Sequence, residues 1–152
     1  MTLETLLALA GHGNVVAIKD CGGNSQTTQA LIADGRLSVL AGEDHQLLGT
    51  LALGGQGAII ASAHFRPELF VAIWRAVSDG RMDEARRQFH ALIPLIQKLF
   101  AEPNPAPVKA LLARMGALRE VLRAPMTQAS AELGDQLVAL HQALEIFSEG
   151  RG

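Results

Sequence analysis

Tyrosine is missing from this chain altogether, so no phenol is available in it as an acid, a base or a proton relay. Cysteine is nearly missing too. The single Cys21 excludes an internal disulfide and a thiolate metal cluster, and it predicts a reducing, cytoplasmic setting. There is no basic excess: 13 Lys and Arg stand against 15 Asp and Glu, which excludes a field able to hold a nucleic-acid backbone. Long apolar runs are absent as well. Even LIPLIQKLF (92–100) is broken by Gln97 and Lys98, well short of the roughly 20 apolar residues that span a bilayer, so no membrane partner is expected. The opening MTLETLLALAG lacks the basic start and long apolar stretch of a secretory signal, and none is predicted. The histidines, His12, His45, His64, His90 and His141, show no metal-ligand spacing, so no metal site is expected.

What is present is the composition of a globular domain, 152 residues of which 49% are hydrophobic and 18% charged, long enough for one substantial core. Three short apolar runs, VVAI (15–18), LSVLA (37–41) and GAIIAS (57–62), each follow turn chemistry and predict strands. Their lack of polar interruption predicts burial on both faces, as in a parallel sheet. Helical stretches alternate with them: LETLLALA behind Thr2 as N-cap, then 25–35 and 43–55. The order is a string of βα units, which predicts the α/β class. After Ala63 only helical signals remain: 66–80 with Pro67 in its first turn, 81–100 with Pro94 bending it, 108–116, and 130–147.

Three parallel strands leave two apolar edges that would invite pairing. Either another chain covers them, or the sequence is a piece of a larger sheet. A run of βα units ending in extra helices suits the last part of a (β/α)₈ barrel, with residues 1–80 forming that part and residues 81–152 a helical extension packed on it in the same domain.

Lys19 closes the first predicted strand. At the strand ends of a βα barrel a lysine loses hydration of its ammonium form, its pKa falls, and the neutral amine becomes a nucleophile for a carbonyl. The alternative is a lysine that reaches solvent past the strand end, paired with Asp20. Glycines after the first two strands, Gly42 among them, either let backbone approach a ligand or simply turn the chain. Gly54, Gly55 and Gly57 precede a strand instead of opening a helix, which fits a phosphate-cradling loop poorly. His64 follows the third strand, facing the same mouth as Lys19 or bonded to backbone in a loop. Glu43 and Asp44 have the chemistry of an acid or base, yet a helix N-terminus explains them more simply.

These stretches together resemble the pyruvate-dependent aldolases of the dihydrodipicolinate synthase and N-acetylneuraminate lyase family. VVAIKD is similar to the family's sixth strand with its Schiff-base lysine, which implies that role for Lys19. VLAGEDHQLLGTLALGGQGAIIASA resembles the seventh strand, its helix and the eighth strand. Ile59 then falls where the family packs an apolar residue beside pyruvate, and Gly42 is the close-approach backbone at the seventh-strand end. KLFAEPNPAPVKALLARMG and LRAPMT resemble the family's helix connection and the segment before its last helix, favouring the synthase branch.

The resemblance implies a partial barrel, strands six to eight, with residues 1–14 as the preceding helix. The family's first five strands, its Thr pair, its relay tyrosine and its mouth arginine have no counterpart here. His64 also stands where the family usually has Asn. The implied chemistry is attack of the amine on pyruvate or another 2-oxo acid, proton loss to an enamine, and addition to an aldehyde, aspartate semialdehyde in the synthase branch. No cofactor is implied. A chain without the relay is expected to be inactive alone and to self-associate through its strand edges, with domain swapping as the device. The alternatives are the C-terminal subunit of a split aldolase, a module that captures a 2-oxo acid without turnover, and an interaction domain outside the family. The family's lysine feedback site belongs to the part without counterpart, so no lysine inhibition is expected.

Overall fold

The computed structural model describes residues 1–149. Thr2 caps α1 (Leu3–Ala10) by accepting the Thr5 N–H on its hydroxyl, and Gly11 ends it. β1 (Ala17–Asp20), β2 (Ser38–Ala41) and β3 (Gly57–Ala58) form a parallel sheet in the order β1-β2-β3. In its register Lys19 lies beside Leu40, Asp20 beside Ala41, and Ala41 beside Ala58.

The crossover from β1 to β2 is α2 (Ser25–Asp34). Asn24 accepts the Gln26 and Thr27 N–H groups at its start, and Gly35 in the left-handed region, φ 74°, stops it. A 3₁₀ turn (Asp44–Gln46) and α3 (Leu47–Ala52) carry the chain from β2 to β3.

Three expectations need correction. β1 starts two residues later than predicted, so Lys19 lies inside it instead of just beyond it. β3 is shorter than 57–62. The bonds bracketing it, Gln56 N–H to Val39 O and Ile59 N–H to Ala41 O, span three steps on its side and two on β2's, so one extra residue sits at its entry. The strands are also not buried on both faces. Ala17 and Lys19 are exposed and Leu40 half-buried, because the helices cover only the face that carries Asp20, Val39 and Ala41.

The edges are open as well. Val16 O accepts the Ser38 N–H and Asp20 O accepts the Gly42 N–H, so the even-numbered residues of β1 bond to β2. By the alternation of a parallel ladder, Ala17 and Lys19 turn their own N–H and C=O groups to the unpaired side.

Most of the core lies elsewhere. α4 (Pro67–Ser78) starts with proline in its first turn, and α5 (Met82–Leu99) runs on through Pro94, which is exposed like His90, the residue whose carbonyl proline leaves without a donor. α6 (Ala106–Arg114) and α7 (Ala131–Glu149) complete the packing. Phe65, Ile73, Leu92, Ile96, Leu111 and Leu137 belong to one buried cluster that also takes in Leu47 and Leu51 of α3. A separate small cluster of Leu6, Leu31 and Val39 holds α1 and α2 to the sheet. Glu102 accepts both the N–H and the hydroxyl of Ser130, at 3.0 and 2.5 Å, which fixes the proline-rich connection to the start of α7. No helix among the described residues is long and apolar enough to cross a membrane.

Candidate functional site

The C-terminal ends of the parallel strands bring the sequence-predicted residues to one side of the sheet. Lys19 and Leu40 are register partners and therefore share a face. Ala58 and Ile60 pack into the main core, so Ile59 between them points the opposite way, toward the Lys19 face, and is 53% exposed. Lys19 is itself exposed, not held in a partly dry mouth, because no strand among the described residues pairs with the outer flank of β1. A cavity of about 360 Å³ lies along that flank, lined by Lys19 with Ile18, Asp20, Cys21, Asn24, Thr27 and the start of α1.

Lys19 does not pair with Asp20. The Asp20 carboxylate turns under the sheet, accepts the Thr28 hydroxyl at 2.5 Å and the Gly22 N–H at 2.9 Å, and is buried. These two bonds pin the loop that follows Lys19 to the first turn of α2. Strand-end position thus comes from β1, and the loop's path from a carboxylate one residue on.

Gly42 makes a close approach, and the group it approaches is its own chain. Its N–H donates to Asp20 O at 2.8 Å. A Cβ there would stand 2.2 Å from Cys21 Sγ and 2.9 Å from Asp20 O. Any side chain would push apart the ends of β1 and β2, which is where the candidate amine sits.

Asp44 departs from the helix-terminus explanation. It opens the 3₁₀ turn, but its carboxylate is fully buried and accepts the Ser62 N–H at 2.6 Å and the Ala61 N–H at 3.3 Å. It therefore ties the loop after β2 to the loop after β3. Charge-assisted bonds of this kind are the stronger class, about 1.5–3 kcal/mol each.

His64 ends the second 3₁₀ turn (Ser62–His64). Its Nδ1 lies 2.8 Å from Ala61 O, and since a carbonyl only accepts, Nδ1 carries the proton and the exposed ring offers Nε2 outward. The loop-histidine alternative describes this contact. Among the described residues, no three His, Cys, Asp or Glu side chains gather as metal ligands.

The sequence reading named Asp20 only as a partner for Lys19 and missed its bond from Thr28 and the reach of Asp44. An acid followed eight residues later by a threonine has no spacing signature, and Asp44 binds across 18 residues of chain, a distance no local pattern encodes. The one available signal was placement: Asp20 is the last residue of β1, and Asp44 lies three residues past β2.

A profile of the dihydrodipicolinate synthetase family matches residues 1–144. The 4-hydroxy-tetrahydrodipicolinate synthase of Chlorobium phaeovibrioides is 40% identical over 151 residues, covering 97% of this chain and 51% of the relative. Two solved structures superpose closely. Dihydrodipicolinate synthase from Acinetobacter baumannii, complexed with pyruvate, matches at TM-score 0.88 and 27% identity over 95% of this chain and 50% of that one. The lysine-bound enzyme from Cyanidioschyzon merolae matches at TM-score 0.89 and 30% identity over 96% of this chain and 50% of that one. The chain thus spans about half the length of the relatives it matches.

Proposed function

We propose, from the fact that this chain belongs to the dihydrodipicolinate synthetase family, that it is the C-terminal part of a Schiff-base aldolase and holds the amine of that site. On this reading β1, β2 and β3 are strands six to eight of a (β/α)₈ barrel, residues 1–80 are the barrel part, and residues 81–152, of which 150–152 lie outside the described residues, are the helical extension of the same domain. Lys19 is the nucleophile. Its neutral amine adds to the carbonyl of pyruvate or a related 2-oxo acid, the carbinolamine takes up a proton and loses water to leave an iminium, a base removes a proton from the methyl group that the iminium has acidified, and the resulting enamine adds through its carbon to an aldehyde. Ile59 is the apolar wall beside the bound 2-oxo acid, Gly42 fixes the backbone at the neighbouring strand end, and His64 stands at the rim.

The observation that carries this reading is the position of Lys19: last but one in a parallel strand, on the face shared with Leu40 and Ile59, in a chain that matches the family profile almost throughout. The exposure of Lys19 supports a further part of it. Its amine is uncovered, and the chain has no tyrosine to relay protons, so on this reading the chain alone is inactive in turnover. Self-association is the means proposed for covering its strand edges when no complementary chain is present. A setting in the cytoplasm fits the lone thiol.

The test is intact-mass spectrometry after incubation with pyruvate and borohydride, with Lys19→Arg as control. A reduced adduct that the variant loses supports the reading. Adduct formation that survives Lys19→Arg, or none under any condition including assembly with a complementary chain, refutes it.

A further inference from the structure

Lys19 takes its place against β2 from its neighbours. The bonds of β1 to β2 fall to even-numbered residues, so the backbone of Lys19 is set in the ladder only through Ile18 and Asp20. Beyond Asp20 the chain runs at once into Cys21, Gly22 and Gly23, the last with φ 64°, a stretch with little stiffness of its own. Whatever fixes the strand end on this side must do so through Asp20.

Its oxygens do the holding. Asp20 O accepts the Gly42 N–H at 2.8 Å, Oδ1 accepts the Gly22 N–H at 2.9 Å, and Oδ2 accepts the Thr28 hydroxyl at 2.5 Å. The main chain is thereby tied to β2, the loop is turned back on the strand, and the strand end is fastened to the start of α2, where the helix dipole favours a carboxylate. Asp20 and Thr28 are each 8% exposed. Stability alone explains such a buried pair poorly, because two apolar side chains of similar size hold a fold as well, and Val39 on the same face already packs in that way with Leu31 of α2. What a hydrogen bond has and apolar packing lacks is direction.

We propose that Asp20 and Thr28 are a positioning pair for the Lys19 amine: they hold the strand end at one angle, so that the side chain leaving the opposite face at residue 19 carries its Nζ to the reacting carbonyl. The proposal rests on the Schiff-base reading above and adds to it residues that do not meet the substrate. Asp20 turns to the helix-covered face and Lys19 to the other, so the pair acts through the backbone between them. Addition of an amine to a carbonyl needs the two atoms aligned at about 3–3.5 Å, and a misplacement of about 1 Å costs up to about a hundredfold. The effect therefore falls on the rate of imine formation and not on affinity for the 2-oxo acid.

The test incubates the full chain with pyruvate for timed intervals, quenches with borohydride and reads intact mass, in the parent and in Thr28→Val, Thr28→Ala and Thr28→Ser. Loss of the hydroxyl in the valine and alanine variants is expected to lower the maximal rate of adduct formation at least about tenfold and to leave the half-saturating pyruvate concentration within about twofold. The Gly22 amide should exchange at least about tenfold faster, with helical circular dichroism kept. Thr28→Ser keeps the hydroxyl and is expected to restore most of the rate. A maximal rate in Thr28→Val and Thr28→Ala equal to the parent's overturns the proposal, as does a fall that Thr28→Ser does not restore or one that only tracks lost circular dichroism. A raised half-saturating concentration with an unchanged maximal rate overturns it too, because the pair would then hold the acid instead of aiming the amine. Failure of the aldolase reading looks different. No adduct on the parent, or one that survives Lys19→Arg, refutes that chemistry and the pair's role with it, whereas equal rates refute the pair and leave the chemistry standing.

Discussion

The sheet end of the molecule and its helical end are built to different degrees of completion. The helical end buries 18 apolar residues in one cluster, from Leu47 to Leu144, drawn from α3 to α7 and the segment before α4. The sheet end has three, Leu6, Leu31 and Val39, under a layer whose other face is open. At about 1.5–3 kcal/mol per fully buried large side chain, the helical end supplies nearly all of the hydrophobic stabilisation. The candidate chemistry sits at the end that supplies little. What this teaches is that the helical cluster serves as the foundation, and that the strand ends keep their geometry through a few polar ties and one glycine contact instead of through packing.

That comparison is sharpest in the response to cavity mutations. Leu92→Ala, within the large cluster, should lower the unfolding free energy by about 2–5 kcal/mol in a urea titration. Leu6→Ala should cost only about 1.5 kcal/mol, since its site adjoins an open cavity that can relax and admit water. Equal costs would mean that the two ends are one cooperative core and would end the distinction.

Gly42→Ala comes next. The added methyl meets Cys21 Sγ and Asp20 O, and the expected cost is about 1–3 kcal/mol. Amide exchange should quicken at residues 19–22 and stay unchanged in α5, and a uniform change across the chain would contradict a local tie. Asp44→Asn turns an amide NH₂ toward the Ala61 or Ser62 N–H and should cost about 1–2 kcal/mol, read as a lower thermal midpoint with faster exchange at those two amides.

The smallest effect is at the helical end. Burial pushes the Glu68 carboxyl up, but the hydrogen bond and charge of Arg66 outweigh it and hold the folded-state pKa below the ordinary 4.5. A depressed carboxylate contributes stability that is complete above about pH 4.5 and is lost as pH falls through the lower folded value. Because the Glu68 side chain is more than half exposed, solvent screens the pair and its worth is within about 1 kcal/mol. Glu68→Gln should flatten the acid limb of the stability profile below pH 4.5 by that small amount and leave neutral pH nearly unchanged, and an unaltered acid limb would remove Glu68 from the account.

Much of this architecture was legible in the sequence, for reasons particular to each element. α1, α2 and α4 announce themselves through Thr2, Asn24 with Gly35, and Pro67, local signals that need no tertiary context. The parallel order followed from apolar runs separated by helices. The strand limits were not legible, because they depend on where the neighbour lies: β1 is displaced by two residues to stay in register with Ser38–Ala41, and beyond Ile59 the Ala61 and Ser62 N–H groups go to the Asp44 carboxylate instead of to β2. For the site, Lys19 and Ile59 could be singled out because each occupies a strand-end position on a pattern of period two. Asp20 could not, since its partner Thr28 lies on another element and the bond exists only once α2 has packed. The exposure of Lys19 was illegible for a deeper reason: apolar neighbours in sequence say that a strand is suited to burial, not that anything is there to bury it.

The membership of the large cluster has a consequence for the birth of the molecule. Its first residue is Leu47 and its last Leu144, so on the ribosome about a hundred residues separate the emergence of the earliest member from that of the latest. At roughly 5–20 residues per second, the βα segment spends on the order of 5–20 s outside the tunnel before α7 arrives to close the core beneath it. Throughout that interval the outward main-chain groups of β1 have no strand partner among the described residues and stay open to pairing.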